Sequence, residues 1–110
     1  MKEQMTYHVS VQRAERVKHI IEDIGLGQIV KEKYTRYNLE QAGRWVCITD
    51  TGITIIKDET KEKIITMYVT TQRELVAVFG GSNKVPAFLR RKVDHNQSKY
   101  VEKGKTIWKS

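Results

Sequence analysis

Between Arg44 and Thr70 three runs of β-forming residues stand so close together that only tight turns fit between them. Arg44-Trp45-Val46-Cys47-Ile48-Thr49 leads through Asp50-Thr51 into Gly52-Ile53-Thr54-Ile55-Ile56-Lys57. The charged stretch Asp58-Glu59-Thr60-Lys61-Glu62 then leads into Lys63-Ile64-Ile65-Thr66-Met67-Tyr68-Val69-Thr70. β-branched and aromatic side chains favour the pleated backbone, and the Gly- and Asp-containing links read as turns. A parallel connection needs a crossover of about a dozen residues or more, so the three runs are predicted to be antiparallel neighbours. Strict alternation along the third run puts Ile64, Thr66 and Tyr68 on one face and Ile65, Met67 and Val69 on the other.

The flanking segments have helical periods. Val11, Ala14, Val17, Ile20, Ile21 and Ile24 recur at helical spacing, with Ser10 as N-cap and Gly25 as the stop, so a helix is predicted from Tyr7 to Gly25. Residues 28–43 fit either a short helix or an irregular strand. Beyond the meander, Thr71 and Glu74 have capping-box spacing, which favours a short helix over a fourth strand for Leu75–Phe79. Pro86 suits the first turn of a last helix, whose apolar face is expected to be Ala87, Phe88, Leu89 and Val93, with Tyr100 a further candidate. Residues 101–110 fit a final strand or a tail. The predicted class is α+β: an N-terminal helix, an antiparallel β-meander, and one or two C-terminal helices packed on the sheet, with the helices together on one face.

At 110 residues the chain has room for one domain. Residues 1–83 are expected to form a compact α+β body, with 84–110 a basic helix and tail of the same domain. With 39% apolar and 30% charged residues, the composition is globular rather than disordered. The single cysteine, Cys47, excludes an internal disulfide and suits a reducing cytoplasm. No apolar run follows Met1-Lys2-Glu3-Gln4, and none elsewhere is long enough to span a bilayer, so neither a signal peptide nor a membrane partner is expected. No phosphate-binding loop, nucleophile elbow or metal-ligand spacing is present, and no metal or cofactor is expected.

The net charge of +7 is unevenly placed. Residues 1–83 hold 12 basic and 11 acidic side chains, whereas residues 84–110 hold 8 and 2. The excess is expected to belong to an appended basic segment, whose deletion should cut salt-sensitive affinity more than it harms the candidate site. Arg90, Arg91, Lys92 and Lys99 in this segment, interleaved with Phe88, Tyr100 and Trp108, suit phosphate neutralisation and base stacking. His19 and His95 read as structural.

His8, Arg13 and Arg16 precede and open the first helix; Thr49-Asp50-Thr51-Gly52-Ile53 forms a turn; Ile65-Thr66-Met67-Tyr68 closes the meander. Over about residues 7–75 this arrangement resembles the ribonuclease-like fold shared by barnase, EndoU, colicin D and RelE-type toxins. It is most similar to small phage-borne or mobile-element nuclease-like proteins of that group. The resemblance implies a cytoplasmic, RNA-acting, toxin-like hydrolase that cleaves phosphodiesters by 2′-OH attack without metal. It further implies His8 as acid or base, Arg13 and Arg16 as phosphate binders, Thr66 as a phosphate hydrogen-bonder and Tyr68 as a positioning or stacking group. Histidine suits proton transfer near neutrality, and arginine grips phosphate with two parallel hydrogen bonds. Arg44 is a further binding candidate, and a cognate inhibitor or host protein is a conceivable partner. The alternative is a non-enzymatic phage or mobile-element protein that binds nucleic acid or a host protein through the basic C-terminal helix.

Overall fold

The computed structural model describes the backbone of residues 9–36 and 43–102 and the side chains of residues 17–36 and 43–101. The order is α1 (Val9–Ile24), β1 (Ile29–Thr35), β2 (Arg44–Thr49), β3 (Ile53–Lys57), β4 (Ile64–Val69), α2 (Gln72–Phe79), a 3-10 turn (Ser82–Lys84), α3 (Ala87–Asn96) and a π-helical turn (Gln97–Glu102). The strands form one antiparallel sheet in sequence order, as a meander must. The class is α+β, as the sequence predicts.

Three local outcomes refine the expectations. Residues 29–35 resolve as a strand at the sheet edge, with an irregular register between Ile29 and Lys31. Ser10 lies inside α1 rather than capping it. A register shift between Ile56 and Lys57 pairs Ile64 with Lys57 and Thr66 with Ile56, leaving Ile65 as the extra residue. That bulge breaks the alternation: Ile64 packs with Met67 and Val69, and Ile65 packs on the side of Tyr68.

The helices do not share one face. On one side of the sheet α1 lays Val17 and Ile20 against Cys47, Ile53, Ile55 and Val69. On the other side α2 and α3 lay Leu75, Val78, Leu89 and Val93 against Val46, Ile48 and Ile56. β3 is consequently buried on both faces from Ile53 to Ile56, and its apolar run matches that environment.

Residues 84–102 are likewise no appendage. Leu89, Val93 and Asn96 are fully enclosed. Burying a Leu or Val side chain stabilises by about 1.5–3 kcal/mol, against about 5–15 kcal/mol for a whole domain. Deleting α3 would remove part of the core rather than trim a tail. After Asn96 the chain passes round the sheet end, and Tyr100 and Val101 join the core on the α1 side. There Lys99 Nζ meets Asp23 Oδ2 at 3.1 Å, and the Tyr100 hydroxyl donates to the same oxygen. These two bonds clasp the π-helical turn to the C-terminal end of α1.

Candidate nucleic-acid interface

The β2–β3 turn is the anchor from which the candidate interface is built. Thr51 Oγ1 donates to Leu26 O at 2.8 Å, and Gln28 N donates to Asp50 Oδ1 at 3.1 Å, so the loop after α1 is stitched to this turn. From the other face Asn96 Nδ2 donates to Thr51 O at 2.9 Å. Gly52 has φ +90°, and a β-carbon there would lie 2.6 Å from Asn96 Nδ2 and 3.5 Å from Lys92 Cγ. Only glycine gives both the left-handed backbone and the space that α3 needs. The turn therefore seats Asn96 and the stem of Lys92.

Seating α3 this way sorts its side chains into three stripes at about 100° per residue. Leu89, Val93 and Asn96 face the core. Arg90 and Asp94 face the neighbouring helical segments: the Arg90 guanidinium donates to Ser82 O, and Gln72 Nε2 donates to Arg90 O and to Asp94 Oδ1 at 3.0 and 2.8 Å. The remaining stripe, Phe88, Arg91, Lys92 and His95, lines an open groove of about 470 Å³. All four are exposed, and none is paired with a carboxylate among the described residues. Asp94, the one acidic residue within α3, is thus turned away from the groove.

The binding residues named from the sequence separate accordingly. Arg91 and Lys92 stand together in the groove. Arg90 lies on the opposite flank, tied to the 3-10 turn. Lys99 is held by Asp23 and lies over the Tyr100 ring at 5.2 Å. Arg44 begins β2, about 17 Å along the strand from the turn that seats α3. His95, read as structural, and Phe88, assigned to the apolar face, both belong to the groove. The spacing 88, 91, 92, 95 is itself a helical stripe, so the signal was present, but the apolar character of Phe88 concealed it.

The catalytic residues named from the resemblance take different positions. His8 lies outside the described residues, as do the side chains of Arg13 and Arg16. Arg13 and Arg16 belong to α1, which packs on one face of the sheet, while Tyr68 packs on the other. The Tyr68 hydroxyl donates to Glu74 Oε2, and Thr54 Oγ1, itself 2.8 Å from Thr70 Oγ1, donates to Glu74 Oε1 at 2.9 Å. Thr66 Oγ1 is enclosed and has no hydrogen-bond partner among the described residues. Thr71 does cap α2, accepting from Glu74 N at 3.1 Å, but the Glu74 carboxylate reaches to the sheet instead of closing the capping box. Glu74 is thereby the centre of a hydroxyl network that joins α2 to β3 and β4, a role that the cap signal alone did not disclose.

The shifted titrations lie away from both sets. Hydrogen bonds from Tyr100 and Lys99 hold the Asp23 carboxyl below its ordinary range, and Asp23 raises both partners in return. The Lys63 backbone N–H does most to lower Asp58, which accepts from Glu62 N and Lys63 N and so ties the β3–β4 loop. Among the described residues no three His, Cys, Asp or Glu side chains gather as a metal site, and no helix is long and apolar enough to cross a membrane. No protein-family model, curated protein or solved structure matches this chain.

Proposed function

We propose that the protein binds nucleic acid, RNA foremost, through the exposed stripe of α3. The observation that carries this reading is the groove: Arg91 and Lys92 stand side by side with Phe88 and His95, and Asp94 is turned toward α2. Arginine presents two parallel donors to a phosphate and lysine a compact charge, so two neighbouring phosphates would have suitable partners. Each contact releases counterions, and a two-phosphate footprint on a single strand predicts a slope of log K against log salt of about −1.4. Fluorescence anisotropy of a labelled RNA across a salt series measures it. Binding that weakens with salt, and that Arg91→Glu with Lys92→Glu abolishes in a folded protein, is the expected result. Absence of RNA binding at low salt by the folded wild type refutes the proposal.

Cleavage of bound RNA is what the ribonuclease resemblance adds. It rests on His8 as acid or base, with Arg13 and Arg16 on the phosphate. Incubation of total RNA in EDTA with wild type and His8→Ala reads it directly. Cleavage by wild type that His8→Ala abolishes supports it, and intact RNA throughout removes it.

A further inference from the structure

We infer that the α3 groove takes a single strand rather than a duplex, with an unstacked base lying on the Phe88 ring while Arg91 and Lys92 hold the adjoining phosphates. This rests on the nucleic-acid reading above.

The first observation is the state of the aromatic side chains. Tyr34 stacks at a tilt on Trp45 with ring centroids 5.3 Å apart, and Lys61 covers Trp45 at 4.0 Å. Phe79 lies under Lys31, Tyr68 is bonded to Glu74, and Tyr100 to Asp23. Phe88 makes no such contact among the described residues and is 48% exposed, the only described aromatic residue in the exposed class. Its ring borders the groove that Arg91 and Lys92 line. Phe88 and Lys92 are one turn apart, about 6 Å along the axis, the scale of a single nucleotide. A ring beside two cations matches a base beside its phosphates, because every base has a face that can stack. A base inside a duplex has both faces already covered.

The second observation is which part of α3 is left untied. One stripe is against the sheet, and Arg90 and Asp94, though exposed, are bonded to Gln72 of α2 and to the 3-10 turn. Among the described residues the stripe of Phe88, Arg91, Lys92 and His95 makes no such bond, so it is the face free to lie along a strand. The deep, narrow major groove of duplex RNA admits no side chains to its bases, whereas a single strand can offer an unstacked base to the Phe88 ring.

The shared chemistry is a base beside its phosphates, so the probes are a labelled oligouridine 12-mer, the matching oligodeoxyuridine, and a blunt RNA duplex of the same length. Wild type is expected to bind a single strand more tightly than the duplex at equal salt, and the stronger of the two single-strand arms names the sugar. Phe88→Ala should cut single-strand affinity between about 5- and 150-fold while leaving duplex binding unchanged. Phe88→Trp should retain affinity. Phe88→Leu, which keeps the bulk without the ring, should lose it and stands in should the alanine variant fail to fold. Equal affinity for strand and duplex overturns the inference. So does a folded Phe88→Ala protein that binds like wild type while reversal at Arg91 and Lys92 still abolishes binding; the nucleic-acid reading then stands alone. Failure to bind any probe removes both.

Discussion

Replacing Glu74 by alanine should cost the fold about 2–4 kcal/mol, out of the roughly 5–15 kcal/mol that a domain of this size has. The figure follows from its partners. Glu74 accepts from Thr54 Oγ1 and from the Tyr68 hydroxyl, both part-buried. A hydrogen bond to a charged group contributes about 1.5–3 kcal/mol. The Thr54 hydroxyl can turn back toward Thr70 Oγ1, 2.8 Å away, which recovers part of one bond. The carboxylate also sits in the first turn of α2, where a negative charge adds about 0.3–1 kcal/mol. Tyr68→Phe removes one donor and leaves the other, so it should cost about 1–2 kcal/mol. Because the two residues share a bond, the double variant should be less destabilised than the sum of the singles. Urea unfolding followed by circular dichroism measures all three as midpoint shifts at constant slope. If each single variant changes stability by less than about 0.5 kcal/mol, or the two effects add fully, the network is not a connection between helix and sheet and the reasoning fails. The same Tyr68→Phe protein separates two roles. A phenol that positions substrate would change activity at unchanged stability, whereas one bound to Glu74 for structure does the reverse.

Other substitutions probe other parts of the frame. Gly52→Ala forces a β-carbon into the left-handed region and against Asn96, and should destabilise by about 1–3 kcal/mol in thermal melts; a change within 0.5 kcal/mol would show that the turn yields freely. Thr66→Val removes an enclosed hydroxyl that has no partner among the described residues, and should be neutral or stabilising by up to about 1 kcal/mol, with a clear loss contradicting the enclosure. The clasp at Asp23 should depend on pH at both ends. The lowered Asp23 carboxyl contributes above its unfolded value and loses that contribution as pH falls through the folded one; the raised Lys99 and Tyr100 contribute below their unfolded values and lose theirs as pH rises through the folded ones. Hydrogen-exchange protection in residues 97–102, corrected for the intrinsic pH dependence of exchange, should therefore be greatest between these limits, and Asp23→Asn should flatten the acid limb.

The meander was legible because its signals are local: two short turns between β-rich runs leave no other pairing. β1 was not, because it is an edge strand whose residues from Ile29 to Lys33 are all exposed, and no alternation marks it. The distribution of helices over two faces was written in β3, where Ile53-Thr54-Ile55-Ile56 lacks the polar alternation of a half-buried strand. The bulge at Ile65 was silent, since an extra isoleucine among isoleucines changes no pattern. For the candidate interface, Arg91 and Lys92 were found by charge alone. Arg90 and Lys99 carry the same charge, and only their tertiary partners, Ser82 and Asp23, set them apart. Phe88 was hidden because an aromatic residue next to Leu89 reads as core until the direction of α3 is known.

A sheet covered on both faces has an experimental use. Cys47, the chain's only cysteine, lies on β2 in the middle of the sandwich with no accessible surface. A thiol reagent can reach its sulfur only when the layers separate, so labelling of the native protein should follow global opening and ignore fraying at the ends. The molecule carries its own unfolding clock, against which each variant above can be timed without adding a probe.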